Sequence, residues 1–356
     1  MSVNRKDIGL GHHRGDVSAM ENKLPFRDEL ASKFRAETET ISACLLVFCE
    51  ITHSKAIQHM DSALLRWLDF RLRFVDPKPR PLVYSKSFPR RLYGEVGRAL
   101  AVFEQYSLAG EDLNPFQGKG LTKHHDTSGI KSQNRTDLLW ADWGIHHFHL
   151  VPRSGKMDSY YADRSEHLLF AVVFDNVIAC LDIKSHEAME NRALLEAFVR
   201  SWPDEAERFR LKGAFPQHTA QFSEADIKKL RHAGIASTVT VDDAIYMPGG
   251  ITCASTPTRV TLAYWQTARG ADAIAHIAIN EVIRDRGAWQ EADLPHLSLA
   301  LTPRGIGICD DRSNKCWQLP RAKGEWADHP VGRWHDLMLP EWIEGKVAEA
   351  VAKTRV

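Results

Sequence analysis

Three short apolar segments in the middle of the chain decide its fold: Trp143-Gly-Ile-His-His-Phe-His-Leu150, His167-Leu-Leu-Phe-Ala-Val-Val-Phe174 and Val177-Ile-Ala-Cys-Leu-Asp-Ile-Lys184. Their length, their β-branched and aromatic residues and the polar stretches around them predict three adjacent strands. Asp175-Asn176, between the second and third segments, predicts a tight hairpin turn. The three segments therefore predict one sheet at the centre of the molecule.

The polar residues of these segments are predicted to project from one face of that sheet. Because successive side chains of a strand point to opposite faces, His147 and His149 share a face. In the third segment the same alternation separates Asp182 and Lys184 from an apolar set, which comprises Val177, Ala179, Leu181 and Ile183. We expect one buried face and one face rich in imidazole, carboxylate and ammonium groups, which makes the second face the candidate reactive surface.

The overall composition is that of an ordinary globular protein, and its charge is balanced. The chain has 356 residues, with 46 basic and 46 acidic side chains, so no global charge forces a nucleic-acid partner. Residues 66–98 are locally basic, with nine basic residues against three acidic ones. Such a patch can hold a polyanion, and its candidate substrate-binding residues are Arg66, Arg73, Arg90 and Arg91. A solvated helix face and loop is the alternative interpretation.

The sequence predicts an α+β protein. We expect a helical N-terminal region, a central twisted antiparallel sheet with covering helices, and a small β-containing C-terminal module. Apolar residues at helical spacing predict helices over 57–74 and 92–107. The predicted boundaries are a flexible tail over residues 1–25, a mainly helical region over 26–125, a central α+β domain over 126–215 and a C-terminal α+β module over 216–356.

The six cysteines form no C-x-x-C pair, which argues against a zinc ribbon. Cys309 and Cys316 flank a predicted turn and could bridge in an oxidising compartment, but we expect reduced thiols. The first 25 residues are polar and lack the apolar stretch of a signal peptide. No apolar run approaches the roughly 18 residues of a membrane span. We therefore expect a cytoplasmic protein with no membrane partner.

The polar face is suited to metal-free acid–base chemistry on a phosphodiester. Imidazole titrates near pH ~6.5 and can serve as either acid or base at cellular pH. We assign proton transfer to three residues: His147, His149 and His186. Lys184 and Arg164 would stabilise the charge that develops on the phosphate, and Asp182 would orient a histidine. This chemistry requires no cofactor and no metal.

The central segments resemble part of a known family. The run Arg164-Ser-Glu-His-Leu-Leu-Phe170, the strand over 177–183 and the following Ser185-His186-Glu187 are similar to the last two strands of toxins of the RelE superfamily, and most of all to its YafQ branch. The resemblance covers about residues 137–200. It implies a small α+β unit in which helices pack on a twisted antiparallel sheet.

The resemblance also implies a function. Many members of that superfamily cleave messenger RNA on the ribosome without a metal, and some relatives poison gyrase. The resemblance places His186 at the position of the late-strand catalytic histidine and His167 near the charged entry to the preceding strand, where it would contact substrate. RNA, the ribosome and a protein antitoxin or regulator are the partners it implies, and a toxin or defence effector is the implied role.

Two other functions stay open at this point. The polar face could instead serve as a docking surface of a non-catalytic protein that binds nucleic acid or protein. Alternatively, His147 and His149 have the H-x-H spacing that can chelate one metal ion from a strand. Asp182 or His186 would then complete the ligand set of a metal-dependent hydrolase.

Overall fold

The computed structural model describes residues 24–51, 62–117, 121, 138–151, 160, 165–185, 191–214, 222–223, 225–226, 229–230, 235, 237–250, 252, 256–282, 296–313 and 315–354. The helices are α1 Leu24–Phe48, α2 Ala63–Arg73, α3 Gly94–Ala109, α4 Leu138–Trp143, α5 Asn191–Ser201, α6 Pro203–Ala206, α7 Thr258–Ile277, α8 Pro330–Met338 and α9 Glu341–Thr354. The strands are β1 Leu82–Tyr84, β2 Ile145–His149, β3 His167–Val173, β4 Ile178–Ser185, β5 Val239–Val241, β6 Ala244–Tyr246, β7 Leu297–Thr302, β8 Gly305–Asp310 and β9 Lys315–Gln318. The protein is α+β, as the sequence predicts, with helices in its N-terminal region and strands in its C-terminal module.

The predicted central strands are confirmed as β2, β3 and β4. They belong to a four-stranded sheet of order β1-β4-β3-β2, in which β1 runs parallel to β4 and the other pairs are antiparallel. The predicted hairpin joins β3 to β4, and the N–H of Phe174 donates to the carbonyl of Val177 across the turn (2.9 Å).

Both faces of this sheet are covered, so the prediction of one open polar face is wrong. On the first face, α5 packs on residues that include Ile145, Phe170 and Val172. On the second face, α3 packs over Phe148 and Leu169. All five residues from Leu168 to Val172 are at most 2% exposed. The unbroken apolar run of β3 is typical of a strand that is buried on both sides.

A β-bulge in β4 changes which residues share a face. Phe170 pairs with Asp182 but Ala171 pairs with Cys180, so Leu181 is an extra residue in the ladder. Strict alternation therefore fails at this position. Asp182 and Lys184 lie on the same face as Ala179, contrary to the prediction, while Ile183 packs with the core on the other face.

A second core joins the N-terminal helices to the C-terminal module. Helices α1 and α2 pack with α7, α8, α9 and the three-stranded sheet β7-β8-β9 around a cluster that includes Phe34, Trp67, Ile274 and Trp334. Cys309 and Cys316 are cross-strand partners in that sheet and form a disulfide, in place of the expected thiols. Within the described ranges, no helix has the length and apolar character needed to cross a bilayer.

Candidate functional site

His147 and His149 project from the same face of β2, as predicted, because they are two residues apart on one strand. Their ring centroids are 6.1 Å apart. Nδ1 of His149 accepts a hydrogen bond from the N–H of Ser165 (3.2 Å), which leaves Nε2 as the protonated nitrogen of the neutral ring. His149 is 6% exposed, whereas His147 is only half-buried and lies beside Phe170, 6.4 Å between ring centroids.

Asp182 and Lys184 lie on the same face as the two histidines and form an ion pair of 3.5 Å, with about a quarter or less of each side chain exposed. Asp182 also accepts from the N–H of Ile183 (2.8 Å). The carboxylate is therefore engaged by a cation and by the backbone of its own strand.

The apolar strand β3 separates the ion pair of Asp182 and Lys184 from the two histidines. Two rows run across the sheet on this face: His147–Phe170–Asp182 and His149–Leu168–Lys184. Two strand spacings of about 4.8 Å put the backbones at the ends of each row about 10 Å apart. The structure thus brings the two histidines together and Asp182 and Lys184 together, with the buried side chains of β3 between the pairs.

The predicted residues Arg164 and His186 lie outside the described residues. Their described neighbours Ser165 and Ser185 both lie at the end of the sheet where His149 is located, since Ser185 pairs with His167 and Ser165 contacts the His149 ring. His167 itself is partly buried and, by strand alternation, faces the side opposite to Leu168.

The predicted substrate-binding arginines are dispersed. Arg73 is 7% exposed and forms a 2.8 Å ion pair with Asp69 inside the protein. Arg66 is partly buried on α2, whereas Arg90 and Arg91 are exposed in the loop that follows β1. Strand β1 is at the opposite edge of the sheet from β2, and three strand spacings place those edges about 14 Å apart.

Other basic residues of the 66–98 stretch also bind partners within the fold. Arg71 pairs with Asp76 (2.9 Å), and Lys78 pairs with Asp175 of the β3–β4 turn. The contact with Lys78 lowers the pKa of the Asp175 carboxyl. Arg80 is 4% exposed and donates to the carbonyls of the same turn. Some of the surplus positive charge of residues 66–98 therefore stabilises the β3–β4 hairpin.

Cys180 lies on the sheet face opposite to the two histidines, in the core under α3. Burial and, to a smaller extent, the charge of Glu104 raise the pKa of the Cys180 thiol to about 12, so Cys180 stays protonated at cellular pH. In the part of the chain that the structure describes, no three histidine, cysteine or carboxylate side chains converge on a position for a metal ion.

One group that the sequence did not single out meets the start of β2. Arg259, in the first turn of α7, lies over the ring of Trp140, with 4.8 Å from its central carbon to the ring centroid. Trp140 is 2% exposed and packs inside the protein. No local pattern links position 259 to this strand.

Comparison of the chain with family models, with curated proteins and with solved structures finds no match. The function is therefore argued from the geometry above.

Proposed function

We propose that the chain is a metal-independent endoribonuclease in which His147 and His149 transfer protons. The observation that supports this proposal is the pair of imidazoles on one strand face, with 6.1 Å between ring centroids. RNA cleavage without a metal needs a base for the 2′-hydroxyl proton and an acid for the leaving oxygen. These oxygens lie on opposite sides of phosphorus, so the two rings must stand apart with room between them.

The two histidines are differentiated by their surroundings. The backbone N–H of Ser165 holds the ring of His149 through Nδ1. To act as the acid, His149 must first take up a proton on Nδ1 and release this bond, so that Nε2 donates its proton from an imidazolium. The half-buried His147 is more accessible and suits the base. Each nitrogen must come within roughly 2.6–3.2 Å of the oxygen that it serves.

Positive charge on the same face would stabilise the phosphate. Lys184 is partly exposed, and its flexible stem can reach from β4 toward substrate over β3. Asp182 holds the ammonium group at 3.5 Å, so in this proposal Asp182 positions Lys184. Arg164 and His186 complete the proposed set, the second in the role that the RelE resemblance implies. Messenger RNA on the ribosome, a protein antitoxin or regulator, and a toxin or defence role are likewise proposed from that resemblance.

The test is cleavage of labelled single-stranded RNA, free and on ribosomes, by the purified full chain in excess EDTA. Loss of one catalytic histidine removes an effect of roughly 10²–10⁴-fold, so we expect His147→Ala and His149→Ala to lower the cleavage rate by at least about a hundredfold. His276→Ala is the control, because His276 is exposed near the end of α7, away from the sheet.

Wild-type rates in both histidine variants would contradict the assignment. Cleavage that EDTA abolishes would favour the metal-dependent hydrolase instead, and RNA binding without any cleavage would favour the non-catalytic alternative.

A further inference from the structure

Arg259 inserts its guanidinium beside Gly144, immediately before β2. A Cβ atom at Gly144 would lie 2.9 Å from Nη2 and 3.0 Å from Nη1 of Arg259, and the backbone of Gly144 has φ +73°. A residue with a side chain would be strained there and would also displace the guanidinium. Glycine at this position therefore makes the close approach of Arg259 possible.

A second arginine lies at the same corner. Arg208 is placed over the ring of Phe209, at 4.9 Å, and Phe209 makes an edge contact of 5.2 Å with Trp143. Since Trp143 precedes Gly144, the two guanidinium groups approach one corner of the sheet from different parts of the chain. Burial and, to a smaller extent, repulsion from Arg208 lower the pKa of Arg259 to about 10.

Arg259 lacks a counter-ion among the described residues. The cation lies against Trp140, its buried Nε makes no hydrogen bond, and the first turn of α7 carries no acidic residue. Burial of a cation without an anionic partner is costly. An anion bound between the two arginines would offset both the desolvation and their mutual repulsion.

We propose that Arg208 and Arg259 form a binding site for a phosphate group. The planar guanidinium fork donates parallel hydrogen bonds that match phosphate oxygens. Gly144 is three residues from His147, or about 10 Å along the edge strand β2, so a bound strand would follow this edge of the sheet from the arginines to the histidines. The phosphate is accordingly assigned to an RNA strand whose scissile bond lies over the histidines; this last assignment rests on the proposed function.

The test measures binding of the full chain to a short 2′-O-methyl RNA, which cannot be cleaved, and separately to inorganic phosphate. Loss of a charge-assisted hydrogen-bonded pair predicts an affinity for the RNA about tenfold weaker or more in Arg259→Met and in Arg208→Met. The dependence of log affinity on log salt should become shallower by about one for each lost phosphate contact. Arg210→Met is the matched control, because Arg210 is exposed in the same segment and pairs with Glu207 at 3.4 Å.

The midpoint of thermal unfolding distinguishes a role of Arg259 in binding from a role in stabilising the fold. Without phosphate, Arg259→Met should unfold at the same temperature as the wild type or higher, because a partly buried cation that has no anionic partner among the described residues has been removed. Phosphate should raise the midpoint of the wild type but not that of Arg259→Met.

Wild-type affinity for both ligands in the Arg259 variant would overturn the site. Binding of inorganic phosphate that depends on Arg259, without binding of RNA, would uphold the anion site and overturn its assignment to an RNA strand. Binding of RNA that depends on Arg259, in a chain that cleaves no RNA, would uphold the site while the proposed nuclease activity fails.

Discussion

Two glycine-to-alanine substitutions in the helical core are expected to have opposite effects on stability. Gly270 lies within α7, where a Cβ atom would be 2.4 Å from Cδ1, 2.6 Å from Cβ and 2.7 Å from Cγ of Trp334. Gly345 lies within α9, where a Cβ atom would meet no heavy atom within 4 Å. The same chemical change therefore probes a closed contact in one helix and open space in another.

At each position, the relative size of two opposing free-energy terms decides whether alanine stabilises or destabilises the protein. Alanine in place of glycine in a helix interior gains roughly 1 kcal/mol, and at Gly345 nothing opposes this gain. At Gly270 the added methyl group must displace Trp334, which is 2% exposed. Insertion of a methyl group into a packed core costs typically about 1–3 kcal/mol, and a contact this short lies at the upper end. We expect Gly270→Ala to lower the free energy of unfolding by about 2 kcal/mol and Gly345→Ala to raise it by about 1 kcal/mol.

Urea unfolding, followed by far-UV circular dichroism and by tryptophan fluorescence, measures both changes. The slope of unfolding free energy against urea should stay constant, so that the shift in midpoint reports stability. A Gly270→Ala protein as stable as Gly345→Ala would refute the close crossing of α7 and α8. That crossing also matters for the proposed phosphate site, because Arg259 is carried by the first turn of α7.

Two further predictions concern the stability that the C-terminal module contributes. Cys316→Ser should lower the free energy of unfolding by about 2–3 kcal/mol, because the bond to Cys309 closes a short loop of the unfolded chain; a reductant should destabilise the wild type but not this variant. Burial, followed by the charge of Arg321, lowers the pKa of His335, so its neutral ring favours the folded state. That stability is complete above pH about 6.5 and should decrease on acidification below it, by at most about 1.4 kcal/mol per pH unit. His335→Gln should flatten the dependence of urea midpoint on pH between neutral and acidic buffer, and an unchanged slope would exclude His335 as its cause.

The positions of the strands, and which of their side chains share a face, could be predicted from the sequence because both depend on neighbouring residues. The three central segments were located to within two residues, and the shared face of His147 and His149 followed from their spacing alone. The prediction that one face would be open failed, although β3 carried the signal: five consecutive apolar residues from Leu168 to Val172 indicate burial on both sides. The relationship to RelE toxins stays a prediction.

The tertiary structure decided what the candidate site contains. Period-two alternation could not locate the bulge at Leu181, because a bulge is defined by the pairing of β4 with β3, and that bulge puts Asp182 and Lys184 on the same face as Ala179. Arg73 belonged to a basic run in the sequence, but folding buried it against Asp69. By itself the sequence determined the strands and the direction of each histidine, since backbone geometry over a few residues sets both. Only long-range packing could bring Arg259 to the residues just before β2, because no local periodicity encodes a contact between segments so distant along the chain.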